Sequence, residues 1–305
     1  MHNGMFISGV GVKDSAAKKY FGKREVFADL CNAFIFRKAG WLDASKLLES
    51  PTEYNELIGK ETSGYSAFRQ ERDLAFMAYT DGERGYAIIC AELQSVADAT
   101  MPVRVMKYDS LAYAYQLQKR IGSSNGVFLP VTTIVVNLGR KPWNVPTSLY
   151  GMFPQVDDFV KTFVPNYWIN VFDPYVVDEK IRSLLCTDLK DVVNLFRYSD
   201  NGDMLFKMYA NDNSAFLSSE GIKLVNTCLD MRLKEPENEG RLEMCKAVED
   251  IMEMGRKEGR QEGLTKKAFE DAINALRLKI KQSDVCAITG LSQSQVAQLA
   301  SEMGL

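Results

Sequence analysis

A single histidine, His2, stands in a chain of 305 residues. Ser-His-Asp and Cys-His hydrolysis need an imidazole as base, and histidine-ligated zinc needs it as ligand. One imidazole in a terminal segment supplies neither, so any catalysis rests on carboxylates, amides, lysines, tyrosines and a hard metal. The six cysteines are scattered, with no Cys-x-x-Cys pair, which suggests neither a disulfide framework nor a zinc knuckle. No apolar run approaches transmembrane length, and Met1 to Met5 lack the basic-then-apolar layout of a secretory signal. Reduced thiols, a cytoplasmic location and no membrane are the resulting expectations. A strong basic excess is missing too, with a net charge of −3. Phosphate affinity follows local cation contacts, however, so a patch can serve. Candidates are Lys18, Lys19, Lys23 and Arg24; Arg104 and Lys107; Lys119 and Arg120; and Arg140 and Lys141, each taken singly more readily a solvated surface charge.

What is present is an ordinary globular composition, 46% hydrophobic and 25% charged, in a chain long enough for one sizeable core and an appendage. The stretch from Arg72 to Gln94 predicts two strands joined by a tight turn. Apolar residues follow Asp73, and Asp81-Gly82, within Thr80 to Gly85, favours a hairpin. Tyr86 to Ala91 is almost continuously apolar, which suits a strand covered on both faces. Glu92 directly after that run closes a buried strand, where desolvation penalises a carboxylate unless a cation answers it. Asp73 and Glu92, on neighbouring strands of one hairpin, can come close enough to share a divalent ion.

An acid on one strand and Glu92-Leu93-Gln94 on the next resembles the PD-(D/E)XK nuclease superfamily. The continuation, Ala91 to Ser95 and then Ala99 to Asp109, is similar to the family of recombination-promoting nucleases (Rpn) and putative transposases. Lys19-Tyr20-Phe21, Phe27 to Asn32, Leu129 to Thr133, Lys141-Pro142-Trp143, Asn166 to Asn170 and the Gly-Arg-Lys-Glu-Gly segment at Gly255 to Gly259 extend the resemblance over roughly residues 18 to 263. It implies an α/β fold: a restriction-endonuclease-like core of a mixed sheet flanked by helices, with a C-terminal helical extension. It also implies a Mg²⁺ ion, with Mn²⁺ as a substitute, held by Asp73, Glu92 and the backbone carbonyl of Leu93, and DNA as partner. The third motif position is usually lysine. Gln94 stands there instead, an amide that can position a water but cannot act as base or counter an anion. The burden shifts to the metal, with Lys107 the candidate for a relocated cation.

Along the chain, residues 1–17 read as a poorly ordered terminus and 18–200 as the nuclease core. Val26, Phe27, Leu30, Phe34 and Ile35 recur at helical spacing between Lys23 and Arg37, with Glu25 and Asp29 one turn apart on the other face. The resemblance makes these two accessory acids; helix solubility explains them as well. Trp41 to Gly64 reads as loop with short helical pieces. Pro102 suits a helix start, and Arg104 to Arg120 reads as a helix whose flank carries Arg104, Lys107 and Tyr108. There a cation and a phenol could hold a phosphate, unless they are a surface arginine and a half-buried tyrosine. Leu129 to Leu138 reads as a buried strand parallel to the second by the right-handed crossover rule. Gly139 to Pro146 is a loop offering Arg140, Lys141 and Trp143 to DNA, with Trp143 alternatively a lid over the core. Tyr167 to Phe172 is a further strand. Residues 201–264 read as a helical extension ending in a charged hinge or exposed helix at Gly255 to Gly263. Residues 265–305 read as a small helical tail for packing or homo-oligomerisation, because two tiny helices around Gly290 cannot bury a core alone. Two functions follow: a Mg²⁺-dependent DNA endonuclease of recombination or mobile elements, or a catalytically weak relative that binds DNA or protein.

Overall fold

The structure, a computed structural model, describes residues 9–52, 72–79, 85–119, 128–153, 155–212, 214–235 and 240–304. The expected turn at Asp81-Gly82 and the side chains of Lys119 and Arg120 lie outside the described residues. The chain divides into two units, residues 1–247 and 248–305.

The first unit is built on a five-stranded sheet in the order β1 (Leu47–Glu49), β2 (Leu74–Tyr79), β3 (Gly85–Gln94), β4 (Val131–Asn137) and β5 (Asn170–Phe172). β2 runs antiparallel to both β1 and β3, whereas β4 is parallel to β3 and β5 is parallel to β4. Helices flank this mixed sheet, and the architecture agrees with a PD-(D/E)XK-like core. β3 is longer than its apolar run suggests: pairing with β4 continues through Glu92↔Val135 to Gln94↔Asn137, so Glu92 lies inside the strand. β1 falls in a region expected to be loop, because three residues are too few to show a period.

α2 (Arg24–Phe34) and α3 (Met101–Lys119) cover opposite faces of the sheet. Phe27 of α2 packs on Phe76 at 4.5 Å, on the face of Ile89, the residue paired with Phe76. Met101 and Val105 of α3 pack with Val135 and Ile169, on the face of Glu92, the residue paired with Val135. Side chains alternate along a strand, so positions 89 and 92 point to opposite faces. α1 (Gly9–Phe21) begins inside the segment expected to be poorly ordered. Ala17, Tyr20 and Phe21 are buried, and the Tyr20 hydroxyl donates to Asp188 at 2.9 Å. Tertiary contacts hold this helix.

The remainder of the unit is mostly helical: α4 (Asp158–Lys161), α5 (Glu179–Arg182), α6 (Leu189–Arg197), α7 (Gly202–Tyr209), α8 (Ser219–Leu229) and the small β6–β7 pair at Phe216–Leu217 and Leu242–Glu243. α9 (Met244–Arg277) crosses the unit boundary, and Gly255 to Gly263 lie within it as exposed helix. In the second unit, Ala272, Ala275 and Leu276 of α9 bury a small core with Val285 of α10 (Gln282–Thr289), Leu291, and Val296 and Ala300 of α11 (Gln293–Glu302). The end of α9, within 265–305, thus supplies a third helix beside the two around Gly290. No helix among the described residues is long and apolar enough to cross a membrane.

Candidate active site

Asp73 precedes β2 and faces the strand end that carries Glu92. Its Oδ2 accepts from the Leu93 backbone N–H at 2.8 Å, and its Oδ1 lies 3.0 Å from Lys18 Nζ. In an extended strand a residue's N–H and C=O point toward the same neighbour, which directs the Leu93 carbonyl to the Asp73 side as well. Glu92 is 2% exposed; its Oε1 is buried with no hydrogen-bond partner, and its Oε2 lies 3.8 Å from Arg104 Nη2. Burial above all, and then the Asp73 charge, raise its pKa to about 8, against the opposing pull of Arg72, Arg104 and Lys18.

Beneath the site lies a polar network built from distant parts of the chain. The buried Arg72 guanidinium donates to Thr133 Oγ1 and Asp109 Oδ1, each at 2.8 Å, and Thr133 donates to the same carboxylate oxygen at 2.6 Å. The Tyr167 hydroxyl donates to Asp109 Oδ2, and Arg72 also stacks over Tyr108. Cys90 is buried beside Arg72, and burial pushes its thiol up to about 12, which leaves no thiolate nucleophile there. Nothing in the sequence alone gives Arg72 and Asp109 a role. Their signal was two charges flanking apolar segments, but nothing local paired them.

The structure brings Asp73, Glu92, Leu93 and Arg104 together. Arg104 is also held to Asp98 Oδ2 at 2.7 Å, and Asp98 caps the start of α3 through Thr100. Tyr108, expected to offer a phenol to phosphate, is buried and sits against Arg72. Lys107 is exposed on α3, and the ammonium at Asp73 belongs to Lys18 of α1. Gln94 ends β3 and lines a cavity of about 250 Å³ together with Lys13, Asp14 and Ala17 of α1 and with Ser95, Leu138 and Cys228.

Glu25 and Asp29 are not part of this group. Asp29 is buried, and its oxygens accept from the backbone N–H groups of Cys186 and Thr187 and from the Thr187 hydroxyl. Glu25 is exposed beside another cleft, with Lys23, Thr187 and Glu220. Helical spacing placed them one turn apart, but the turn at 186–187 consumes Asp29. In the 139–146 loop, Arg140 donates to the Cys228 carbonyl at 3.1 Å, and Trp143 packs on the core with Met101, Val135 and Ile169, while Lys141 is exposed.

Among the described residues no group of three or more His, Cys, Asp or Glu could hold a metal. Two carboxylates and a carbonyl nevertheless suit Mg²⁺, which is commonly bound through one or two carboxylates plus water and substrate phosphate. The orphaned Glu92 Oε1 is the atom that such an ion would satisfy.

Residues 66–213 match the family described as "Putative transposase, YhgA-like", a span that carries Asp73, Glu92, Gln94 and Arg104 but not α1. No curated protein and no solved structure matches the chain significantly.

Proposed function

Residues 66–213 belong to the YhgA-like putative transposases, a family tied to mobile elements, and on that premise we propose that the chain is a Mg²⁺-dependent DNA endonuclease. The observation that carries this reading is a buried carboxylate with an unpartnered oxygen, Glu92, beside a second carboxylate, Asp73, at one end of a hairpin.

Hydrolysis forms a bond from a water oxygen to phosphorus and breaks the bond to the leaving oxygen, while the water gives up a proton and the leaving oxygen gains one. Asp73, Glu92 and the Leu93 carbonyl would hold Mg²⁺, which when bound offsets charge on the phosphate and acidifies water. Glu92 must ionise to take that part. The Gln94 amide positions the attacking water without accepting its proton. Arg104, half-exposed at the mouth, binds a non-bridging phosphate oxygen. The Asp109–Arg72 network holds α3, and hence Arg104, against the sheet.

Incubation of supercoiled plasmid with the full chain and Mg²⁺ tests the reading. Nicking that stops with chelator and with Glu92→Gln is expected; equal nicking by Glu92→Gln would overturn it. One observation favours a second reading, a DNA- or protein-binding scaffold: the motif position next to Glu92 carries the neutral Gln94. In that case DNA binding persists while plasmid stays intact in both Mg²⁺ and Mn²⁺.

A further inference from the structure

The motif Glu92-Leu93-Gln94 has no cation of its own, yet an ammonium lies at the neighbouring Asp73. Lys18 Nζ is 3.0 Å from Asp73 Oδ1 and 3.2 Å from Asp14 Oδ2 one turn back on the same helix. The two contacts confine a long side chain that is about one-third exposed. The helix is fixed as well. Tyr20, two residues on, is fully buried and bonded to Asp188. At Gly22, which ends the helix by donating to the Lys18 carbonyl at 2.9 Å, a Cβ would stand 2.5 Å from that oxygen. α1 also reaches Gln94, because Lys13, Asp14 and Ala17 line the same cavity as the Gln94 side of β3. Helix α1 therefore presents Lys18 to Asp73, and Lys13 to the cavity that Gln94 lines. It lies wholly outside the matched family region 66–213, so that match assigns it no part.

We propose that Lys18 supplies, from α1, the positive charge that position 94 lacks: it is a positioning residue that holds Asp73 and offsets anionic charge at the site. This rests on the nuclease reading above for its catalytic consequence, but its electrostatic consequence does not require cleavage. A fixed ammonium at a metal-binding carboxylate opposes a divalent cation, so its removal tightens metal binding even as it weakens the reaction.

Four full-length chains decide the matter: unmutated, Lys18→Gln, Lys18→Arg, and Lys18→Gln combined with Gln94→Lys. Each is measured for Mn²⁺ affinity by electron paramagnetic resonance, for plasmid cleavage and for thermal melting. Lys18→Gln is expected to bind Mn²⁺ about tenfold more tightly, the scale of one nearby solvated charge, and to lose about 10²-fold in kcat with KM little changed. Lys18→Arg keeps most of both properties. The double variant restores both, because a lysine on β3 returns the charge without restoring the α1 side chain. A purely structural lysine would instead lower the melting temperature and show no rescue from position 94. Unchanged Mn²⁺ affinity in Lys18→Gln overturns the proposal. An unmutated chain that never cleaves overturns the nuclease reading alone, since the Mn²⁺ series still decides the role of Lys18: a shift reversed by Gln94→Lys supports it, and no binding by any chain overturns it.

Discussion

Asp73 takes the place of a backbone rung: its Oδ2 accepts the Leu93 N–H at 2.8 Å, one step beyond the last β2–β3 pair, Leu74↔Ala91. One carboxylate thereby extends the sheet and faces Glu92 at once. Asn at position 73 can accept the same N–H, so Asp73→Asn should alter stability by less than about 1 kcal/mol, whereas Asp73→Ala should cost about 1 kcal/mol from the lost bond. Both should abolish metal-dependent cleavage. Urea unfolding of the two variants checks the pair, and equal losses would remove the rung from the account.

Glu92 makes stability depend on pH. Its folded pKa, near 8, lies above the ordinary 4.5. Between these values the unfolded chain has released a proton that the folded chain retains, so stability falls as pH rises through the window. Below about 4.5 the penalty is absent, and above about 8 it is complete. Glu92→Gln has no proton to lose. Its melting temperature should match the unmutated chain near pH 4.5 and exceed it increasingly up to pH 8. Parallel curves across that range would show that Glu92 ionises normally. Divalent metal should flatten the unmutated curve by stabilising the carboxylate, with proton release on binding at neutral pH.

The buried pair Arg72–Asp109 is costly to break from one side. Asp109→Ala leaves a guanidinium at 1% exposure without its carboxylate and should destabilise by about 3–5 kcal/mol. Asp109→Ala with Arg72→Met should recover part of that loss. Chemical denaturation of both variants measures it, and a single-variant loss below about 1 kcal/mol, the scale of an exposed pair, would contradict the burial argument.

Asp29 offers a control for the position of the site. Asp29→Ala strands the Cys186 and Thr187 donors and should cost about 1–3 kcal/mol. Mn²⁺ affinity should not change. Weaker Mn²⁺ binding in a chain that remains folded would return Asp29 to the metal site.

Arg104 lies beside Glu92 with one-third of its side chain exposed. Arg104→Ala should reduce the slope of log DNA affinity against log salt by about 0.9, one phosphate contact. An unchanged slope would leave Arg104 as the partner of Asp98 alone.

The hairpin, the parallel β4 and the long α3 were legible because each depends on a local pattern: an apolar run bounded by turn residues, or a helical period after Pro102. So was the nearness of Asp73 to Glu92, which the pairing of β2 with β3 sets. The Arg72–Asp109–Tyr167 network and the Lys18–Asp73 contact were not, because each pairs residues that only tertiary folding brings together. Asp29 misled for the same reason: the helix sets its direction, but the donors at Cys186 and Thr187 set its use. α1 shows little apolar periodicity, and its burial against the rest of the unit gives it its place.

On the proposed nuclease reading, Asp73 and Glu92 hold a divalent ion. Anomalous diffraction from a Mn²⁺-soaked crystal of the full chain measures this directly. A peak is expected within roughly 2.5 Å of oxygens from Asp73, Glu92 and the Leu93 carbonyl. A fully soaked crystal with no peak between these carboxylates, and Lys18 still on Asp73, would contradict it.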